Sequence, residues 1–343
     1  MKSCNCHGYF KSVSAGLILA VFVGMSAYML KIFTQTPILD PLLVALLLGV
    51  MVKAATGKLD KLKPGLLSAT AIFIPVGIIF YAANNLNFAK LLEVEKSMIA
   101  VLIVVMLVYF AVILLLGRLF KQKKQVTYLI ATGSAVCGAS AIAVTAPAVD
   151  AEPDDVSVSL LSVALAAFVG FAIILPFLSS LFDLTCKTHC LLSGSVLQFT
   201  GMVKASNEFV NYLKHDMEHP ETVQLALSVK SIRYLALLIT VPLFASLVKR
   251  KFYIPWFLWA FLAAALLGTW FYVSNGSFYK SVLTPYIRPI HEISWSIAMA
   301  AIGLNADAKE LLSNTGSKAI LMAFGGFFAA TAAFLIGFYF FVY

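Results

Sequence analysis

Charge is what this sequence has least of. Asp, Glu, Lys and Arg together make up 12% of the 343 residues, acidic residues number only 16, and no polar stretch is long enough to form a soluble domain. Sequence signatures of energy-coupled pumps and hydrolases are missing too: there is no nucleotide-binding glycine loop, no metalloprotease helix and no nucleophile elbow. An enzyme is therefore not expected. The apolar runs are continuous and do not alternate with period two, which excludes a membrane β-barrel. Nor does the lead MKSCNCHGYFK precede a small-residue cleavage site, so the first apolar run is expected to be a retained helix and not a signal peptide.

What is present is hydrocarbon. Apolar residues are 61% of the chain and the mean hydropathy is +0.93, and a bilayer core needs about 20 apolar residues per helical crossing. Eleven candidate spans follow: residues 13–32, 38–56, 66–83, 97–120, 128–149, 155–183, 189–206, 224–248, 253–274, 282–304 and 317–342. The expected fold is all-α and integral to the membrane. If every span crosses, sixteen Lys and Arg lie on the side of the N-terminus and five (Lys31, Lys90, Lys96, Lys214 and Lys280) on the other. The N-terminus is then cytoplasmic and the C-terminus outside. The net charge of +9 reads as membrane topology, not as affinity for nucleic acid.

Four basic residues, Lys204, Lys230, Arg233 and Arg288, fall in or at the edge of spans, where a charge must be paired, face water or serve a function. Lys204 reads as a side chain snorkelling from a helix end. Lys230 and Arg233 share one helix face and can jointly hold an anion, or anchor a headgroup, or pair with a carboxylate. Arg288, His291 and Glu292 cluster at another span start. There Glu292 can neutralise Arg288, or His291 and Glu292 can carry protons.

Against so apolar a background, GSAVCGASAIAVTAP (Gly133 to Pro147) is unusually small and polar. Close helix packing explains such residues. So does a discontinuous helix whose freed amides bind an anion. Internal similarity bears on the choice. GVMVKAA from Gly49 resembles GMVKAS from Gly201, and the spacing of Ile142, Ala143 and Ala146 recurs at Ile297, Ala298 and Ala301. Both matches are five spans apart. They predict a tail and extra helix (residues 1–36) followed by two inverted five-helix repeats (37–185 and 186–343) whose discontinuous members are the fifth and tenth spans.

The stretch ATGSAVCGASAIAVTAPAVDAE, from Ala131, resembles the signature of the bacterial membrane proteins grouped as sulfate exporters. VKSIR from Val229, IPWF from Ile254, AMAAIGLNAD from Ala298 and DPLLVALLLG from Asp40 match further motifs of that family in order. The resemblance implies a multi-spanning inner-membrane transporter, similar in architecture to the inverted-repeat bile-acid and sodium symporters. It implies a small anion as the substrate, held by Gly133, Ser134, Cys137, Gly138 and Ser140 on one side and by Ala301 to Gly303 on the other, with Lys230 and Arg233 supplying positive charge. Sulfate is that family's label only, and a sulfonate or small carboxylate would use the same donors. One departure is clear: where the family has Gly-Ser-Thr-Val-His-Glu, this chain has GSVLQF, so Gln198 and Phe199 replace the titratable pair. Coupling to H⁺ or Na⁺ would then involve other groups, with His291, Glu292 and Gln198 as candidates.

Two rival readings stay open, a cation-coupled or cation-conducting protein with a structural basic pair, and a membrane scaffold or receptor that transports nothing. The expected partners are the anion and the lipid bilayer, with further copies of the chain as an open alternative; no cofactor or metal is expected. Cys4, Cys6 and His7 form a weak metal set at the chain end, and Cys186 and Cys190, with His189, are expected in a cytoplasmic connection as reduced thiols. Asp150, Glu152, Asp154 and Asp155 are expected as a solvated loop or a gate at an outer vestibule, and Asn84 and Asn85 as a span end.

Overall fold

A computed structural model describes residues 6–35, 40–57, 59–85, 88–89, 94–213, 221–306, 309 and 313–341. Of the weak metal set, Cys4 and the side chains of Cys6 and His7 lie outside what is described. Among the described residues the ordered elements are all helical: α1 (Cys6–Thr34), α2 (Pro41–Thr56), α3 (Lys63–Asn85), α4 (Lys96–Leu119), α5 (Lys124–Ala135), α6 (Ala139–Thr145), α7 (Pro153–Val169), α8 (Leu175–Leu181), α9 (Cys186–Val196), α10 (Thr200–Leu213), α11 (Glu221–Arg233), α12 (Leu237–Lys249), α13 (Trp256–Ser274), α14 (Gly276–Phe278), α15 (Thr284–Asn305) and α16 (Asn314–Phe341). Over their described residues the eleven expected stretches are largely helical. Seven are long and apolar enough to cross a membrane: α1, α3, α4, α7 with α8, α11 with α12, α13 and α16.

Two stretches do not run from end to end. Lys123, just before α5, reaches Glu152 and Asp155, which follow α6, at 2.9 Å each. Ser159, early in α7, hydrogen-bonds to the carbonyl of Val126, early in α5. The chain from Lys124 to Val149 therefore enters and returns at one end of the bundle, the end where Gln122 meets Thr315 and Lys249 meets Asp150. The seventh stretch does the same from the opposite end. His189 of α9 bonds to Ser206 of α10 and Ser193 to Asn207, so these half-helices run back along each other. His189 also bonds to Ser179, close to where α8 ends, while Cys190 reaches Thr222 at the start of the helix that follows. The described contacts thus place two helical hairpins at opposite ends of the bundle, each followed by a long helix: α5 and α6 by α7 and α8, α9 and α10 by α11 and α12.

This corrects the expected arrangement in two ways. The discontinuous partner of the fifth stretch is not the tenth, because α15 is continuous through Ala301 and Gly303; the second interruption falls at Leu197–Phe199. The acidic segment at Asp150 to Asp155 lies at the same end as the basic run RLFKQKKQ, paired to Lys123 and Lys249, and not at the opposite vestibule. Cys186 and Cys190, both buried and not joined in a disulfide, accordingly lie at the end opposite to the one expected.

The helices form two groups. In one, α1, α2, α3, α13 and α15 pack closely; at the α2–α15 crossing Gly49 and Gly303 bring the backbones together, and a Cβ on Gly303 would lie 2.3 Å from the Leu46 carbonyl. The other group holds both hairpins together with α4, α7, α11, α12 and α16.

Candidate functional site

The hairpin tips meet in the interior of the bundle. In the first, α5 ends at Ala135, Val136–Gly138 turn, and α6 begins. Gly138 has φ +64°, a conformation that disfavours any side chain, and a Cβ there would lie 3.0 Å from the Phe199 ring. In the second tip Leu197 is extended, with φ −69° and ψ 141°, and Phe199 lies against the first tip.

Each tip leaves carbonyls at the C-terminal end of its first half-helix without helical donors. Lys230 and Arg233, three residues apart at the end of α11, supply them. Arg233 donates from Nε to the Ala135 carbonyl (2.9 Å), from Nη2 to Ser134 (2.7 Å), and from Nη1 to Leu197 (2.8 Å) and Gly194 (3.3 Å). Lys230 Nζ donates to the carbonyls of Leu197 and Gln198, both at 2.8 Å. Both side chains are wholly buried, and no carboxylate among the described residues forms an ion pair with either. A half-helix C-terminus carries about −0.5 of a charge, so two of them leave about +1 of the pair's charge unbalanced. Tyr109 completes the frame: its hydroxyl donates to the Val196 carbonyl (2.8 Å) and accepts from Gln198 Nε2 (3.0 Å).

A cavity of about 840 Å³ reaches the tips from the end of the bundle where α1 stops and α2 starts. Cys137, Ser140, Phe199 and Thr200 line it at the tips, Tyr81, Tyr234, His291 and Trp295 along its wall, and Lys31, Asp40, Lys204, Arg288 and Glu292 nearer its mouth. A smaller cavity of about 380 Å³ opens from the other end, lined by Leu67, Ile74, Pro75, Pro147, Trp256 and Asn305 among others. Trp295 closes the gap between them, its Nε1 donating to the Ile74 carbonyl at 3.3 Å. Both cavities lie between the two helix groups.

The structure sorts the expected site residues. Cys137 and Ser140 line the large cavity, and Gly138 forms the tip. Gly133 packs on Ile142 of the returning arm, and Ser134 gives its carbonyl to Arg233. Lys230 and Arg233, expected at the site, are not among the residues lining this cavity, and their hydrogen bonds go to backbone carbonyls. Ala301 and Gly303 are also absent from the wall; Gly303 lies in the α2–α15 contact, and on the side facing the first tip the cavity is lined by Phe199 and Thr200. Glu292 lies between Lys31 (2.7 Å) and Arg288 (3.0 Å). His291, beside it, lines the cavity with its Nδ1 buried and unpartnered. Gln198 holds Tyr109 with its amide nitrogen, while its Oε1 is buried without a partner. Lys204, expected to snorkel, faces the cavity from α10, and Asn84 and Asn85 end α3 at the cavity mouth.

The second tip was missed because it holds neither glycine nor proline. A signal was present in Gly194-Ser195-Val196-Leu197, which repeats the small residues and branched apolar end of Gly133-Ser134-Ala135-Val136.

Comparison with known proteins gives the same class of molecule. The family described as Conserved hypothetical protein 698 matches residues 15–323, and the chain belongs to that family. It is 25% identical over 323 residues to a UPF0324 membrane protein of Archaeoglobus fulgidus, covering 93% of this chain and 91% of that one. A UPF0324 membrane protein of Streptococcus agalactiae serotype V is 26% identical (91% and 93% covered), and one of Bartonella henselae 27% identical (91% and 88%). No solved structure matches.

Proposed function

For this member of a membrane-protein family, we propose secondary transport of a small anion by alternating access. The observation that carries the reading is the buried basic pair, two cations without a carboxylate partner, set behind hairpin tips that line a large cavity. In a low-dielectric interior such a charge surplus favours an anion at the cavity floor. The first amides of α10 and the Ser140 hydroxyl are the donors in reach of it. Lys230 and Arg233 fix both tips and contribute their field, while the anion contacts the tips themselves.

The two cavities suggest how access alternates. Both lie between the group containing the hairpins and the group containing α1, α2, α3, α13 and α15, so sliding or rocking of one group on the other opens one cavity as it closes the other. Trp295 and Ile74 form the barrier in this state. The hairpins also adjust the topology. With both re-entrant, only Lys187 changes sides, leaving fifteen Lys and Arg at one end and six at the other; that bias supports a cytoplasmic N-terminus and an outward-opening large cavity in a plasma membrane.

A sodium ion at the crossing is disfavoured, because the carbonyls that would bind it already accept from Lys230 and Arg233. A scaffold has no use for two interrupted helices and two opposed cavities. H⁺ is the favoured coupling ion, with His291 as the group on the cavity wall able to carry it.

The test is uptake and efflux of labelled sulfate, sulfonates and small carboxylates in proteoliposomes, with and without a pH gradient. Arg233→Lys, which keeps the charge and loses the forked hydrogen bonds, is compared with wild type at equal folded protein. Saturable transport of at least one anion, slowed in the variant, is expected. Absence of transport for every anion would overturn the proposal.

A further inference from the structure

We propose that the large cavity selects an organic anion, with a sulfonate or carboxylate head and an apolar, ring-sized body, over a bare inorganic oxyanion. This rests on the anion-transport reading and narrows its substrate.

Size is the first argument. A water molecule takes about 30 Å³ of liquid, and a tetrahedral oxyanion is only a few times larger, whereas the cavity holds about 840 Å³. Volumes of roughly 300–1,000 Å³ are those of sites for larger organic ligands.

The wall gives the second. Tyr81 stands at the centre of a set of rings, with centroids 4.7 Å from Trp295, 5.6 Å from His291 and 5.6 Å from Tyr234, and Phe199 covers the tip opposite. Aromatic faces carry negative charge density and repel an oxyanion, but they accept a hydrocarbon or aryl body, face or edge on. A site meant for sulfate alone would surround it with donors; this one sets a band of rings between the tips and a charged mouth.

Polar anchors are nonetheless in place for one charged head. Ser140 and the first turn of α10 face the cavity in the field of Lys230 and Arg233. His291, 6% exposed, has a ring nitrogen with no partner and lines the same space. Nearer the mouth, Lys31, Lys204 and Arg288 outnumber Asp40 and Glu292 by one charge.

The route onward is the third argument. The smaller cavity is walled largely by Leu67, Ile74, Pro75, Trp256 and Phe257, with no charged side chain. A divalent oxyanion finds only the neutral side chains of Thr70, Tyr253 and Asn305 as polar partners there, whereas an anion that carries its own apolar surface also matches the wall.

Binding to the full-length protein in lipid nanodiscs, measured by isothermal titration calorimetry, separates these cases. The ligands are sulfate, methanesulfonate and benzenesulfonate, tested on wild type, Tyr81→Leu and Phe199→Ala. Benzenesulfonate is expected to bind at least tenfold tighter than methanesulfonate, with sulfate weakest. Each variant is expected to cut that advantage to under threefold. Sulfate binding as tightly as benzenesulfonate, or variants that weaken every anion in equal proportion, would overturn the selectivity and leave anion transport standing. Failure of all three anions to bind wild type, together with no anion transported in proteoliposomes, would overturn both.

Discussion

The two hairpins perform the same task with different local chemistry. The first turns at Gly138, in a conformation that glycine tolerates best, with a ring packed where a side chain would go. The second turns at Leu197–Phe199 with ordinary negative φ at Leu197 and depends for its shape on Lys230, which binds two of its carbonyls. Arg233 hydrogen-bonds to carbonyls of both tips. One tip is thus encoded locally, the other by a distant helix, and a single guanidinium ties them together.

Removing that tie should have the largest effect. Arg233→Met strips donors from four carbonyls, and each buried acceptor left unsatisfied costs about 1–3 kcal/mol; little monodisperse protein is expected on size exclusion after extraction. Lys230→Met should be milder, since Leu197 keeps its bond to Arg233 and only Gln198 loses its ammonium donor. Equal damage from the two would deny Arg233 its special place.

The local code is tested next. Gly138→Ala forces a side chain into a left-handed conformation, at about 1–2 kcal/mol, and against the Phe199 ring. A fall in apparent melting temperature is expected, partly restored by adding Phe199→Ala, which removes the clash and leaves the backbone cost. At the other tip Gln198→Ala is expected to cost about 1 kcal/mol, the worth of its hydrogen bond to Tyr109. A Gly138→Ala change as mild as Gln198→Ala would erase the contrast between the tips.

The smallest effect belongs to the base of the first hairpin. Lys123 lies in the connection before α5, and its hydrogen bond and charge hold the Glu152 carboxyl below its ordinary value. A depressed carboxylate stabilises above its unfolded value, and that stabilisation is lost as pH falls through the folded one. The Lys123–Glu152 pair is exposed, so Glu152→Gln, which keeps the Lys123–Asp155 contact, should lower the melting temperature only slightly at neutral pH. The difference from wild type should shrink on acidification through that range; a difference that grows would contradict the contact.

How far the sequence carried this picture depends on length and charge. The eleven helical stretches follow from apolar runs of membrane length, and the break at Gly138 from its small polar residues. The hairpins did not follow, because two half-helices and a tip are together as long as one crossing helix. Charge counting could not expose them either: the segment after α6 has no Lys or Arg, and the only one near the start of α9 is Lys187, its second residue. At the site, the spacing of Lys230 and Arg233 placed them on one face, but their partners are carbonyls nearly a hundred residues away in the case of Ser134 and Ala135, which no local pattern encodes. Ala301 and Gly303 were drawn into the site by the internal repeat and the motif resemblance, and the smallness of Gly303 serves the contact of α15 with α2.

Everything proposed for the site depends on two hairpins entering from opposite faces, and side-specific thiol labelling tests this most directly. In a cysteine-free background carrying single cysteines at Lys121, Glu152 or Lys187, a membrane-impermeant maleimide applied to oriented vesicles should label positions 121 and 152 from the same face and position 187 from the other. Labelling of positions 121 and 152 from opposite faces would show that the fifth stretch crosses the membrane and would contradict the account.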